Sequence, residues 1–169
     1  AAPYIQRQLG GKIGIGRNIT VVQDTFGKVF NEGTEFQRDG SQFDRLFDDG
    51  DTYQVGGMTC FAMHTPGHTP GQVAVYVPEE RAVFTGDTIF SECTTWLMTS
   101  NVDQWITALD RIRALDIDHV IPGHGPVQTK DYLATQRSFM LEWKAAVAVA
   151  VAKGWSREET IARVSFADR

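Results

Sequence analysis

Cysteine is scarce in this chain: two residues among 169, Cys60 and Cys93, with no C-x-x-C pair. They fall in different elements, which excludes a disulfide framework or a zinc knuckle and fits a reducing cytoplasm. Long apolar runs are missing too. No stretch approaches the ~20 residues of a membrane span. The opening "AAPYIQRQLG" has neither the charged leader nor the apolar segment of a signal peptide, so the sequence predicts a soluble protein without a membrane partner. Positive charge is in deficit. A net charge of −5 leaves no basic stripe for nucleic acid, although a metal could hold a small acidic substrate locally. Histidine is sparse, four residues with none before position 64. Repeats and low-complexity linkers are absent, and the length suits one domain over residues 1–169 with a real core.

What is present alternates between helical and extended patterns. "AAPYIQRQLGG" reads as a short helix closed by glycine, "KIGIG" as a short strand, and "NITVVQDTFGKVFN" as a helix with Asn18 as N-cap. From residue 51 the period becomes two. "DTYQVGGMTCFAM" predicts two strands around a Gly56-Gly57 turn, and "GQVAVYVP" with "RAVFTGD" a hairpin joined by "PEE". "SNVDQWITALDRIRALD" places Trp105, Ala108, Ile112 and Leu115 on one helical face, and "IDHVIPGHG" is a strand running into a loop. The remainder is helical, its last piece opened by a Ser156/Glu159 capping box. Together these elements predict an α/β fold with helices packed outside a mixed sheet.

The residues able to do chemistry stand just past strand ends: His68 after "CFAM", Asp87 after "RAVFTG" and His124 after "HVI". Each has a plain reading, because histidine beside proline and glycine commonly serves a turn and an aspartate after a strand commonly caps one. Loops leaving one sheet edge would nevertheless bring two imidazoles and a carboxylate together. That donor set suits zinc, and with open positions it also suits non-haem iron(II).

The motifs "TPGHT", "GDT" and "PGHG" occur in this order, with 19 and then 37 residues between their polar members. In this the sequence resembles the metallo-β-lactamase superfamily, along essentially the whole chain. The resemblance implies an αββα sandwich holding one or two metals at the sheet edge. It implies His68 on the first metal, His124 on the second, and Asp87 on both and as the catalytic carboxylate. Zinc is the implied cofactor, with iron and manganese as alternatives. His64 then reads as a structural neighbour of the site, His119 as packed, and Cys93 as a buried thiol rather than an extra soft ligand.

The first half, through "LGGKIGIGRNITVVQDTFGKVFN" and "FDRLFDDGDTYQVGG", looks most like persulfide dioxygenases, which resemble glyoxalase II in fold and use one iron. After "GDTIF", "SECTTWLMTSNVDQW" and the helical tail look more like a hydrolase-type branch, so the chain reads as a mosaic, natural or recombined. The superfamily signature HxHxDH occurs nowhere, and "AAPYIQRQLGG" resembles the segment that follows it. The expected domain is therefore N-terminally incomplete, with one histidine and the shared Asp87 for each metal. An incomplete sandwich would expose a sheet edge and an apolar face, which predicts a homodimer or pairing with a complementing N-terminal fragment. The implied function is metal-dependent hydrolysis of an ester, thioester, lactam or phosphoester. A persulfide dioxygenase-like activity and a catalytically weak assembling scaffold are the alternatives. A small-molecule substrate would be met by loops around residues 31 to 50 and 89 to 102, with the phenylalanines of "FQRDGSQFDRLF" as core or lid packing.

Overall fold

Short elements, too brief to bury much, open the chain, and strong period-two alternation after residue 51 builds the sheet that carries the rest. A computed structural model of the chain describes residues 2–31, 33, 35, 37–97 and 100–166. Helix α1 (Ala2–Leu9) buries none of its side chains. Strand β1 (Gly14–Gly16) leads into α2 (Ile19–Val29) and pairs in parallel with β2 (Arg45–Phe47) as a two-stranded sheet. β2 lies where the sequence was read as loop, because three residues are too few to show a period. Phe43 and Phe47 are half-buried, the latter ring 4.6 Å from that of Tyr53; Phe36 lies outside the described residues. Asn18 stands at the N-cap of α2 but its side chain does not cap. Its amide lies 3.0 Å from His64 Nε2 and 3.4 Å from the Pro70 carbonyl, tying the helix to the sheet instead.

The large sheet has five strands in the order β3 (Thr52–Val55), β4 (Met58–His64), β5 (Val73–Val77), β6 (Ala82–Phe90) and β7 (His119–His124). The first three pairings are antiparallel, through the Gly56-Gly57 turn and the "PEE" connection that the sequence predicts. β6 and β7 are parallel, which requires a crossover, and α3 (Val102–Arg113) supplies it. The chain closes with α4 (Tyr132–Ala152) and α5 (Arg157–Arg163). The Ser156/Glu159 capping box is present, with bonds of 2.9 and 3.1 Å. Among the described residues no helix is long and apolar enough to cross a membrane.

Alternation decides which face each strand residue buries. Ala74, Val83 and Val120 point to one face, where Trp105, Leu109 and Ile112 of α3 meet Leu133 and Met140 of α4. All eight are fully buried, and Leu109 or Ile112 alone stabilises the fold by roughly 1.5–3 kcal/mol. Leu115, read as part of the α3 face, lies beyond the helix end and packs half-buried against the same core. The opposite face is covered in part by β1 and α2, across a cavity of about 390 Å³ lined by Gly16, Ile19, Val22, Ala62, Val73 and Val75. The layers therefore run from α3 and α4, through the five-stranded sheet, to the two-stranded sheet with α2. Farther along the second face, Phe84 is 49% and Val55 50% exposed. His119 is exposed as well, not packed as its strand context predicts, since its neighbour Val120 takes the core-facing position.

An ionic knot fixes the end of β4 against α3. Arg111 donates to both oxygens of Asp49 at 3.0 Å and to the His64 carbonyl at 2.7 Å, while the His64 amide donates to Asp49 at 2.7 Å. Partial burial opposes the charge of Asp49, but the His64 amide and the Arg111 guanidinium outweigh it and hold the carboxyl below its ordinary range. A depressed folded-state value means stability that is present above about pH 4 and lost as pH falls through the folded value. Asp49→Asn is therefore expected to lower stability by about 1 kcal/mol at neutral pH, less than a buried charged hydrogen bond contributes because the pair is half exposed. It should also flatten the acid limb of stability, as measured by urea unfolding from pH 7 to pH 3.

Candidate metal centre

The loop that carries His68 is folded by glycine and by its own backbone. The Thr65 amide donates to the Gln72 carbonyl at 2.9 Å and closes the loop, and the Asn101 amide donates to the Gly67 carbonyl at 2.8 Å. Gly67 has φ +145°, and a Cβ there would overlap the backbone of Trp105. Only glycine lets the loop lie this flat against the start of α3. The His68 ring then packs 5.3 Å from Trp105 and 5.6 Å from Phe90, its side chain 14% exposed, and its Nδ1 is buried without a hydrogen-bond partner.

Asp87 lies inside β6 and not beyond it, which corrects the sequence reading. The extended backbone continues past the motif, but the pairing with β7 slips between Phe84 and Gly86 and again between Gly86 and Phe90. The slip turns the carboxylate toward β7, where a Cβ on Gly123 would collide with Asp87 Oδ1. His124 is the last residue of β7, and its ring stacks on Phe90 at 4.8 Å and 11°. Phe90 is thus the common wall behind both imidazoles.

The three residues meet around the carboxylate. His68 Nε2 is 3.6 Å from Asp87 Oδ2, and His124 Nε2 is 3.3 Å from Asp87 Oδ1. Both distances exceed those of good N–H···O bonds, so the groups do not satisfy one another directly. Two donors each ~2.0–2.1 Å from a tetrahedral ion stand about 3.3–3.4 Å apart, so the His124–Asp87 pair matches the edge of a zinc coordination sphere and the His68–Asp87 pair is wider by a few tenths of an ångström. Among the described residues no three His, Cys, Asp or Glu side chains gather around a single ion. The arrangement is two imidazole–carboxylate pairs that share Asp87. Access is from the His124 side, where the side chain is 54% exposed and that of Asp87 40%.

The other candidates stand apart. His64 is held by the Pro70 carbonyl, 2.8 Å from its Nε2, as a structural link between β4 and the loop. Cys93 is exposed, contrary to the reading as a buried thiol, because β6 ends at Phe90 and the chain turns outward through Glu92 at φ +54°. It borders a cavity of about 1080 Å³ between residues 92–97 and α4, lined also by Leu97, Phe139, Trp143 and Phe166. The sequence reading missed the groups that hold β6 in place. Gln136 is buried, and it is the polar member of the apolar row Leu133, Gln136, Met140 on α4; that break in the row was the available signal.

The sequence model of the metallo-β-lactamase superfamily matches residues 2–124. A protein of Burkholderia pseudomallei (strain 1710b) named probable metallo-hydrolase is 53% identical over 98 residues, covering 53% of this chain and 33% of that protein. Glyoxylase B2 of Dictyostelium discoideum is 43% identical over 79 residues, 47% of this chain and 27% of that one. The chain thus matches about a third or less of the length of these relatives. Among solved structures, a metallo-β-lactamase from Pontibacter korlensis superposes with a TM-score of 0.63 at 21% identity, over 83% of this chain and 62% of that one, a likeness of fold.

The close approach at Gly67 makes a direct test of the loop. Gly67→Ala is expected to lower stability by more than about 2 kcal/mol in urea denaturation, since both the dihedral and the contact with Trp105 are unfavourable. Gly57→Ala, whose Cβ would meet open space, should change stability by less than about 1 kcal/mol.

Proposed function

The chain belongs to the metallo-β-lactamase superfamily, and from that premise we propose that it is a metal-dependent hydrolase acting on an ester, thioester, lactam or phosphoester. The observation that carries this reading is the Asp87 carboxylate, which turns one oxygen toward each of two imidazoles, at or within a few tenths of an ångström of the spacing of two donors on one ion. His68 and Asp87 would hold one divalent metal, and Asp87 with His124 a second. Proteins of this superfamily bind divalent metals such as zinc, and zinc is the ion proposed here, since imidazole and carboxylate donors suit it. A bound zinc supplies a water whose pKa is lowered to about 7 and polarises the carbonyl or phosphoryl group of the substrate.

The residues of the chain have separate tasks in this reading. Phe90 and Trp105 exclude water from beneath His68 and fix its ring. Asp87 would hold either metal with its carboxylate oxygens, and the exposed side at His124 would admit a small-molecule substrate. The HxHxDH signature is absent from the sequence, so His68, Asp87 and His124 would give each ion two protein donors, against the three usual for a catalytic zinc. Other groups must fill the remaining positions.

We propose in addition that the chain self-associates or pairs with a complementing segment. Leu9, Phe26 and Val29 on the first two helices, Phe30 just past the second, and Val55 and Phe84 on the sheet leave apolar surface in water. Light scattering at tens of micromolar protein is expected to give a dimer or larger species, and a strictly monomeric mass would remove self-association and leave pairing with a complementing segment.

Metal content per chain, measured by inductively coupled plasma mass spectrometry on protein purified without added metal, tests the main reading. Near-stoichiometric zinc that disappears in a His68→Ala/Asp87→Ala double variant is expected, together with thioester or ester hydrolysis that His124→Ala abolishes. Iron in its place, with oxygen consumption on glutathione persulfide, would move the assignment to the dioxygenase class. No metal in either protein would overturn it.

A further inference from the structure

Strand β6 outruns β5 and slips against β7. β5 pairs with it only as far as Phe84, and after Gly86 the β7 pairing is interrupted until Phe90. Residues 87–89 therefore cross a gap in the register with no paired residue on β7, and Asp87 is the first of them. Thr88 and Ile89 are fully buried, so their polar backbone groups need partners from elsewhere.

Side chains from the helices provide some of these partners. The Trp105 indole donates to the Thr88 carbonyl at 2.8 Å. Gln136 donates through Nε2 to the same carbonyl at 2.7 Å and accepts through Oε1 from the Phe90 amide at 2.9 Å. A carbonyl at one residue and an amide two residues on, both met by one amide group, is the pattern a neighbouring strand would present. Tyr132, one helical turn earlier, donates its hydroxyl to the Phe90 carbonyl at 3.1 Å and accepts from the Glu92 amide at 2.8 Å.

We propose that Gln136 is a positioning residue for Asp87: its side-chain amide stands in for a missing strand and fixes the backbone that aims the carboxylate and seats Phe90 behind both imidazoles. The proposal rests on the metal-dependent reading of His68, Asp87 and His124. Gln136 touches none of them. It acts through the backbone of Thr88 and Phe90, and its position is set by the core-facing row of α4.

The test is calorimetric titration of zinc into the full chain as wild type, Gln136→Met and Met140→Ala. Gln136→Met keeps volume and removes both hydrogen bonds. Met140→Ala loosens the same helix and core without touching a hydrogen bond of β6. Gln136→Met is expected to weaken zinc binding about tenfold or more at a temperature where circular dichroism shows it folded, while Met140→Ala stays within about twofold of wild type. Should Gln136→Met not fold, Gln136→Asn takes its place; it keeps the amide on a shorter stem, and a loss of about threefold or more is expected. Equal affinity in wild type and the Gln136 variant overturns the proposal, as does an equal loss in the Met140 control, which would make the role purely structural. Wild-type protein that takes no zinc overturns the metal reading itself and this proposal with it, an outcome distinct from the other two.

Discussion

The candidate site depends on the place where sheet hydrogen bonding gives out. Up to Phe84, β6 is an ordinary inner strand paired on both sides; beyond Gly86 it continues extended with its ladder interrupted. A buried backbone without partners is costly, about 1–3 kcal/mol for each orphaned group, and Trp105, Gln136 and Tyr132 reach the end of the strand from the helices to supply such partners. The irregularity is what frees the Asp87 carboxylate from the pleat. In a regular parallel ladder it would project to one face of the sheet, and it could not lie against the Gly123 backbone between His68 and His124.

Rigidity beneath the imidazoles comes from the same constraint. The Phe90 ring lies 4.8 Å from His124 and 5.6 Å from His68, and Trp105 closes the other side of His68. Aromatic contacts at such separations add about 0.5–1.5 kcal/mol beyond burial and define ring orientation. The Trp105 indole thus fills the core, flanks His68 and bonds the Thr88 backbone at once. Displacing it would disturb packing and candidate site together.

Much of this was legible in the sequence where a physical signal repeats. The strands from Thr52 to His124 follow period two, α3 follows its apolar stripe, and Ser156 with Glu159 announces α5. The three motif residues could be named because glycine and proline around them mark tight loops. Three kinds of feature escaped. A strand as short as β2 carries no period. Asn18 has the right residue type for a cap, yet a tertiary partner, His64, competes for its amide. Cys93 and His119 are exposed through the way the chain leaves a strand or meets an uncovered face, which local composition does not encode. Gln136 was hidden for another reason. A single polar residue in an apolar row says that something polar lies opposite, and only the fold says that it is the backbone of β6.

The match to the superfamily ends at His124, the last of the candidate ligands, yet the groups that hold β6 extend past it. Gln136 and Tyr132 lie on α4, beyond the matched residues, and each bonds the segment that follows Asp87. The helix is also anchored to α3 by Arg137, which donates to both oxygens of Asp110 at 2.8 and 3.1 Å. The candidate donors and the groups that fix their backbone therefore lie in different parts of the chain. The motifs supply imidazole and carboxylate at the sheet edge, and in the proposal above α4 helps to fix the backbone that aims the carboxylate. Two sequences with the same three motifs and different residues facing the end of β6 would differ in the spacing of their donors, and so in the ion they hold and how firmly.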